Sequence, residues 1–153
     1  MQPVGAQIRL AAPGDLAALL PLFDAYRAFF AGNADTARSE RFLGDRLSAG
    51  DSALFLAEVA DAAEGFVQLY PLWSSWYCRR IWFLSDLYVR ERSRRHGLGR
   101  QLVERVIDYA QETNASSIMV ELPLREPHLE QFYGKLGFQR DPVFHLARRS
   151  FAG

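Results

Sequence analysis

Leu84-Ser85-Asp86-Leu87-Tyr88-Val89, followed closely by Arg94-Arg95-His96-Gly97-Leu98-Gly99, is the stretch that decides the fold of this 153-residue chain. Ile81 to Val89 is an apolar, strand-like run, and an amphipathic helix pattern starts near Gly97. A strand, a basic glycine-containing turn and a helix start, in that order, make a site for a pyrophosphate. The first amides of a helix have no intrahelical acceptor, and the helix dipole adds positive potential there. Glycine lets the backbone approach an anion with no Cβ in the way.

Composition narrows the partners. Lys+Arg and Asp+Glu both total 18, which argues against a general nucleic-acid or membrane-surface protein. Basic charge is local: Arg90, Arg92, Arg94 and Arg95 are offset only by Glu91. Hydrophobic residues make up 49% of the chain, enough for a packed core. The lone cysteine, Cys78, excludes an internal disulfide and offers no metal cluster. Met1 to Gly5 carries no basic-then-apolar leader, and no apolar run reaches the roughly 18 residues that span a bilayer. The expectation is a cytoplasmic protein.

Outward from the central strand, periodicity lays out the other elements. Ile8 to Ala11 reads as a first strand, and Asp15 opens a helix with Leu16, Leu19, Leu20, Phe23, Tyr26 and Phe30 on one face, stopped at Gly32-Asn33. A second helix is expected from about Asp35 to Leu47. Ala53 to Ala60 and Gly65 to Leu72 form a hairpin around Asp61-Ala62-Ala63-Glu64, and Trp73-Ser74-Ser75-Trp76-Tyr77 is an aromatic connection. After the Gly97 helix come a strand at Ser117 to Leu122, a helix from Pro127 to Leu136 capped by Gly137, and a strand at Val143 to Arg149. This order predicts an α/β (α+β) single domain with a mixed sheet and helices on its faces. The strands before and after the Gly97 helix are expected to be parallel through a right-handed crossover.

Arg94-x-x-Gly97-x-Gly99 after its strand resembles the acetyl-CoA signature of the GNAT superfamily, the acyl-CoA-dependent N-acyltransferases. Phe132-Tyr133-x-x-x-Gly137-Phe138 resembles that family's C-terminal motif, at the expected distance downstream. The resemblance spans roughly Ile8 to Arg149 and implies a central sheet of about six to seven strands flanked by about four helices, its central parallel strands splayed apart. It implies acetyl-CoA as co-substrate, with no metal. Amides from about Arg95 through His96, Gly97, Leu98 and Gly99 to Arg100 would hold the pyrophosphate, with Arg94 opening the motif. Main-chain groups of Leu87, Tyr88 and Val89 would line the pantetheine arm, which pairs like a strand. Tyr133 would sit near the thioester sulfur and give a proton to the leaving thiolate. One departure stands out: Glu126 occupies a position where many members carry an Asn. Ser85 stands where some polyamine-acetylating members place a Glu.

Acetyl transfer to an amine needs a bound thioester, a neutral amine, donors for the developing oxyanion and a proton for the thiolate. Positioning the reactants is worth up to roughly 7–11 kcal/mol. An amide near Leu87 suits the oxyanion role. Tyr133 reads either as general acid or as an amphipathic core tyrosine. Asp86 reads as a general base, an anchor for a cationic amine, or a satisfied polar group beside the sheet. Glu121 and His128 are lesser candidates. Phe23, Tyr26, Phe29 and Phe30 are expected to be mostly core, whereas Trp73 to Tyr77 lines an acceptor pocket or covers a subunit interface.

Three functions compete. The first is N-acetylation of a primary amine, expected to belong to a small molecule, with a protein lysine or N-terminus as the alternative acceptor. The second is a non-catalytic acyl-CoA sensor. The third, a nucleotide-phosphate binder, lacks the Gly-Lys-Ser/Thr ending that holds β/γ-phosphates. A homodimer is possible; no nucleic-acid or membrane partner is expected.

Overall fold

A computed structural model describes residues 5–32 and 35–152 of the chain. Met1 to Val4 and the Asn33 stop therefore lie outside the described residues. The elements are β1 (Gln7–Leu10), α1 (Leu16–Ala31), α2 (Thr36–Ala49), β2 (Ala53–Val59), β3 (Ala62–Ser74), β4 (Arg79–Val89), α3 (Leu98–Glu112), β5 (Ser117–Val120) and α4 (Pro127–Gly134), with short 3-10 turns at Pro13–Asp15 and Glu91–Ser93. Residues up to Glu121 form one compact unit and those from Leu122 onward a second.

In the first unit the sheet runs in the order β1-β2-β3-β4-β5. Its first four strands are antiparallel, and β5 joins β4 in parallel, as the α3 crossover requires. The β2–β3 turn is tighter than expected: Ala60 and Asp61 both take left-handed conformations, so Ala63 and Glu64 already belong to β3. The aromatic connection is a second hairpin turn, with Trp73 inside β3.

Alternation along β2 fills both faces. Leu54 and Leu56 pack with Leu19, Leu22, Phe23, Leu43 and Phe66 beneath α1 and α2, while Phe55 turns to Tyr109 of α3, ring centroids 5.2 Å apart. Helix α3 buries Leu98, Leu102, Val103, Val106 and Ala110, the face its periodicity predicts. Phe29 and Phe30 are more than half exposed, so only part of the α1 aromatic set is core.

The sheet has five strands among the described residues. The strand expected at Val143 to Arg149 does not form: the segment is exposed throughout, and the second unit contains no strand for it to pair with. Asp141 Oδ1 accepts from the amides of Val143 and Phe144, both at 2.8 Å, which holds the start of the segment in a turn.

Candidate functional site

The turn after β4 is built from its own backbone. Arg95 (φ 65°) and Gly97 (φ 79°) are both left-handed, and Gly97 is the N-cap of α3 with no side chain over the first-turn amides. Gly97 is the residue that takes this conformation without a Cβ penalty. The start of α3 thus presents bare N–H donors beside a basic surface, with an open hollow of ≈ 480 Å³ lined by Tyr88, Arg90, Glu91 and Arg92.

Three of the four arginines in the block bond back onto the protein, although Arg92 and Arg94 remain exposed. Arg90 Nε donates to Ala63 O (3.1 Å), Arg94 Nε to Val89 O (2.8 Å), and Arg92 forks onto Glu64. The Arg94 guanidinium lies over the Tyr88 and Phe29 rings, 5.4 and 5.8 Å from their centroids. Arg95 and His96 are exposed, and Arg100 pairs with Glu104 one turn along α3.

Beside the turn, β4 runs past β5. Their ladder spans Ile81–Leu84, and Ser85 to Val89 have no strand on that side among the described residues. The break coincides with a bulge: Leu69 pairs with Leu84 and Gln68 with Asp86, leaving Ser85 as an extra residue. Bulges bend their strand and re-aim side chains. Arg90 N donates to Glu64 O at 2.8 Å, so the alternation of an antiparallel ladder puts Tyr88 and Asp86 in the pairs that bond to β3. The main-chain groups of Leu87 and Val89 therefore face the open edge, with the Val89 carbonyl already taken by Arg94.

The bulge also decides the face of Asp86. Trp82 points at α3, where its ring lies 5.3 Å from Tyr109 and its Nε1 donates to Thr113 Oγ1. Four residues later an even-numbered side chain belongs on the same face. The extra Ser85 reverses that parity, and Asp86 meets α1 instead. Its Oδ1 accepts from Tyr26 Oη (2.6 Å) and Ser85 Oγ (3.3 Å), and its Oδ2 from Gln68 Nε2 (3.2 Å). Burial pushes the Asp86 carboxyl above its usual range, against these three donors. Burial and the nearby Asp86 charge likewise push the Tyr70 phenol upward.

In the second unit, Glu126 is the N-cap of α4 and lies 3.3 Å from His128 Nδ1. The helix closes in a Schellman turn: Phe138 N donates to Tyr133 O and Gly137 N to Gly134 O, both at 3.1 Å, with Gly137 left-handed at φ 92°. That turn folds Phe138 back onto Tyr133, centroids 5.3 Å apart, while Phe132 meets Tyr133 edge-on at 5.0 Å. Tyr133 is 5% exposed, and burial holds its phenol protonated well beyond neutral pH.

The acetyltransferase (GNAT) family matches this chain over residues 19–138. The chain belongs to that family. The uncharacterized N-acetyltransferase YhfO of Bacillus subtilis is 34% identical over 137 residues, covering 90% of this chain and 92% of that protein. A solved structure of a probable acetyltransferase superposes with a TM-score of 0.90 at 32% identity, covering 96% of this chain and 99% of the other. A D-amino-acid N-acetyltransferase of Saccharomyces cerevisiae, HPA3, is 28% identical over 105 residues, 69% of this chain and 65% of its own length.

For a member of the GNAT family, the structure brings together Leu87, Tyr88, Val89, the 94–100 turn and Asp86 at one end of β4. Tyr133 lies within its own helical motif in the second unit. Glu64, Gln68 and Tyr26 are the site-associated residues that sequence reading missed as such. In the sequence Glu64 reads as a turn residue and Tyr26 as part of a helix face, and Gln68 carries no signal beyond its place in a strand. Among the described residues no cluster of His, Cys, Asp or Glu suits a metal ion, and no helix is long and apolar enough to cross a membrane.

Proposed function

We propose that this protein transfers an acetyl group from acetyl-CoA to the primary amine of a small molecule by direct attack. The observation that carries the reading is the outward-facing main chain of Leu87 and Val89 beside the uncapped start of α3. A strand edge free to pair with an amide-bearing arm, ending at bare helix amides, fits a coenzyme A pantetheine and its pyrophosphate. Arg94 then acts as a strut, and the amides from Arg95 to Arg100 hold the anion.

Acetyl-CoA supplies the activated thioester. The Leu87 amide is the donor for charge developing on the thioester oxygen. Asp86, a carboxylate on the α1 face, binds the incoming ammonium and takes its proton at a carboxylate oxygen. As the carbon–sulfur bond breaks, Tyr133 Oη, kept protonated by burial, gives its proton to the departing sulfur, and the second proton shed by the acetylated nitrogen restores the phenol. The chain works as a single N-acetyltransferase domain. No covalent enzyme intermediate is needed.

A small-molecule acceptor is favoured by similarity to the D-amino-acid N-acetyltransferase and by the α1 aromatic residues around Asp86. Homodimer formation is supported by the segment after α4, where Val143, Leu146 and Phe151 are 70, 72 and 83% exposed.

The test is thiol release from acetyl-CoA across an amine panel of D- and L-amino acids, polyamines, aminoglycosides and lysine peptides. Saturable release with a small amine supports the proposal. Preference for the peptides shifts it to a protein acceptor, and tight acetyl-CoA binding with no release from any amine replaces it with a sensor.

A further inference from the structure

Gln68 is fully buried, with 0% exposure, yet its amide is bonded at both ends. It pairs with Asp86 across the β3–β4 ladder at the Ser85 bulge. Its Nε2 donates to Asp86 Oδ2 at 3.2 Å. Its Oε1 accepts from the hydroxyl of Ser52 at 3.0 Å, one residue before β2. The acceptor-only carboxylate sets the orientation of the amide, since turned over Gln68 would point its carbonyl at Asp86, and the Ser52 hydroxyl pins the other end of the amide by donating to Oε1.

The carboxylate has about four acceptor positions. Tyr26 and Ser85 take two on Oδ1, and Gln68 takes one on Oδ2. Among the described residues one position on Oδ2 remains, and Asp86 retains 8% exposure. Two titratable groups bear on this carboxylate, Tyr26 from α1 and Tyr70 from β3, and no cation is among the groups that shift it.

We propose that Ser52 and Gln68 are positioning residues for Asp86: Ser52 anchors the Gln68 amide through Oε1 so that Nε2 stays within bonding reach of Oδ2, keeping Asp86 an acceptor with its last lone pair aimed at the acceptor's ammonium. The proposal rests on the role of Asp86 given above, but its chemistry is readable without turnover. Losing a donor to the charged form favours the protonated form.

The experiment follows the Asp86 carboxyl by carbon NMR, assigned by its loss in Asp86→Asn, alongside the pH profile of kcat/KM. Ser52→Ala is expected to raise the Asp86 titration midpoint by roughly half a unit or more, and to move the acidic limb by the same amount. The KM for acetyl-CoA should stay within about twofold of its normal value. Ser52→Thr, which keeps the hydroxyl, should restore both midpoint and limb. Gln68→Leu should give a larger shift, and Ser52→Ala keeps the test available if that core variant does not fold. An unmoved carboxyl midpoint in folded Ser52→Ala overturns the anchor. Equal shifts in Ser52→Ala and Ser52→Thr also overturn it, since the hydroxyl would then be irrelevant. A moved midpoint beside an unmoved kinetic limb keeps the anchor and rejects Asp86 as the kinetic group.

Discussion

Glu64 on β3 grips Arg92, 28 residues away, through both nitrogens of the guanidinium edge: Arg92 Nε lies 3.1 Å from each carboxylate oxygen and NH2 closes on Oε1. Ser93 Oγ adds a 2.6 Å bond to Oε2, and the Glu64 main-chain carbonyl receives Arg90 N. Glu64 is the extra residue of a second bulge, opposite Ala57 and Glu58, and only 4% exposed. One buried residue thus fastens the turn that leads into Arg94 to Gly99.

Replacing Glu64 by Gln removes the charged fork while keeping the size. The KM for acetyl-CoA should rise roughly tenfold with kcat nearly unchanged, because the reacting groups are untouched. Arg92 holds the Glu64 carboxyl below its usual range. The stability this supplies is present above the unfolded value near 4.5 and is lost as pH falls through the lower folded value. Melting temperatures from pH 7 to 3 should therefore drop less steeply in Glu64→Gln than in the parent.

Tyr133→Phe keeps the edge-on ring contacts with Phe132 and Phe138 and deletes only the hydroxyl. We expect kcat to fall by roughly 10²-fold, with acetyl-CoA binding retained by calorimetry. Unchanged turnover would reduce Tyr133 to a packing residue.

Asp86→Asn should abolish the acidic limb of kcat/KM. Because burial raises the Asp86 pKa above 3.8, activity of the parent should fall as pH drops through that raised value. The same shift makes ionisation of Asp86 cost native stability as pH rises through it. If the limb survives while KM for cationic amines alone increases, Asp86 is an anchor and not the base.

Gly97→Ala isolates backbone conformation from crowding. A Cβ there meets nothing closer than Arg100 NH2 at 3.9 Å, but φ stays at +79°. The cost is roughly 1 kcal/mol or more of strain, spent either on stability or on relaxing the turn. Acetyl-CoA affinity and melting temperature, measured together, should show a loss in at least one.

Leu146→Asp with Phe151→Asp places charge on the exposed segment after α4. If that segment covers a dimer interface, light scattering on the parent should read twice the mass of one chain, and the double variant should read a single chain. A parent of single-chain mass would remove the homodimer.

Local sequence determined a good deal here. The left-handed Gly97 before α3, the Schellman turn at Gly137 that brings Phe138 onto Tyr133, and the buried face of α3 all depend on contacts within a few residues, which residue type and spacing encode. The position of Asp86 was not encoded that way. Trp82 and Asp86 share a period, yet the bulge at Ser85 sends one to α3 and the other to Tyr26. Glu64 likewise looks like a turn residue until β3 is seen to begin at Ala62 and to bulge. A bulge depends on the register between strands, set by packing on both faces of the sheet at once. The order of elements up to α4 and the glycine turn at the start of α3 were thus legible in the sequence, whereas tertiary pairing alone decided which face Asp86 occupies and what holds the turn in place.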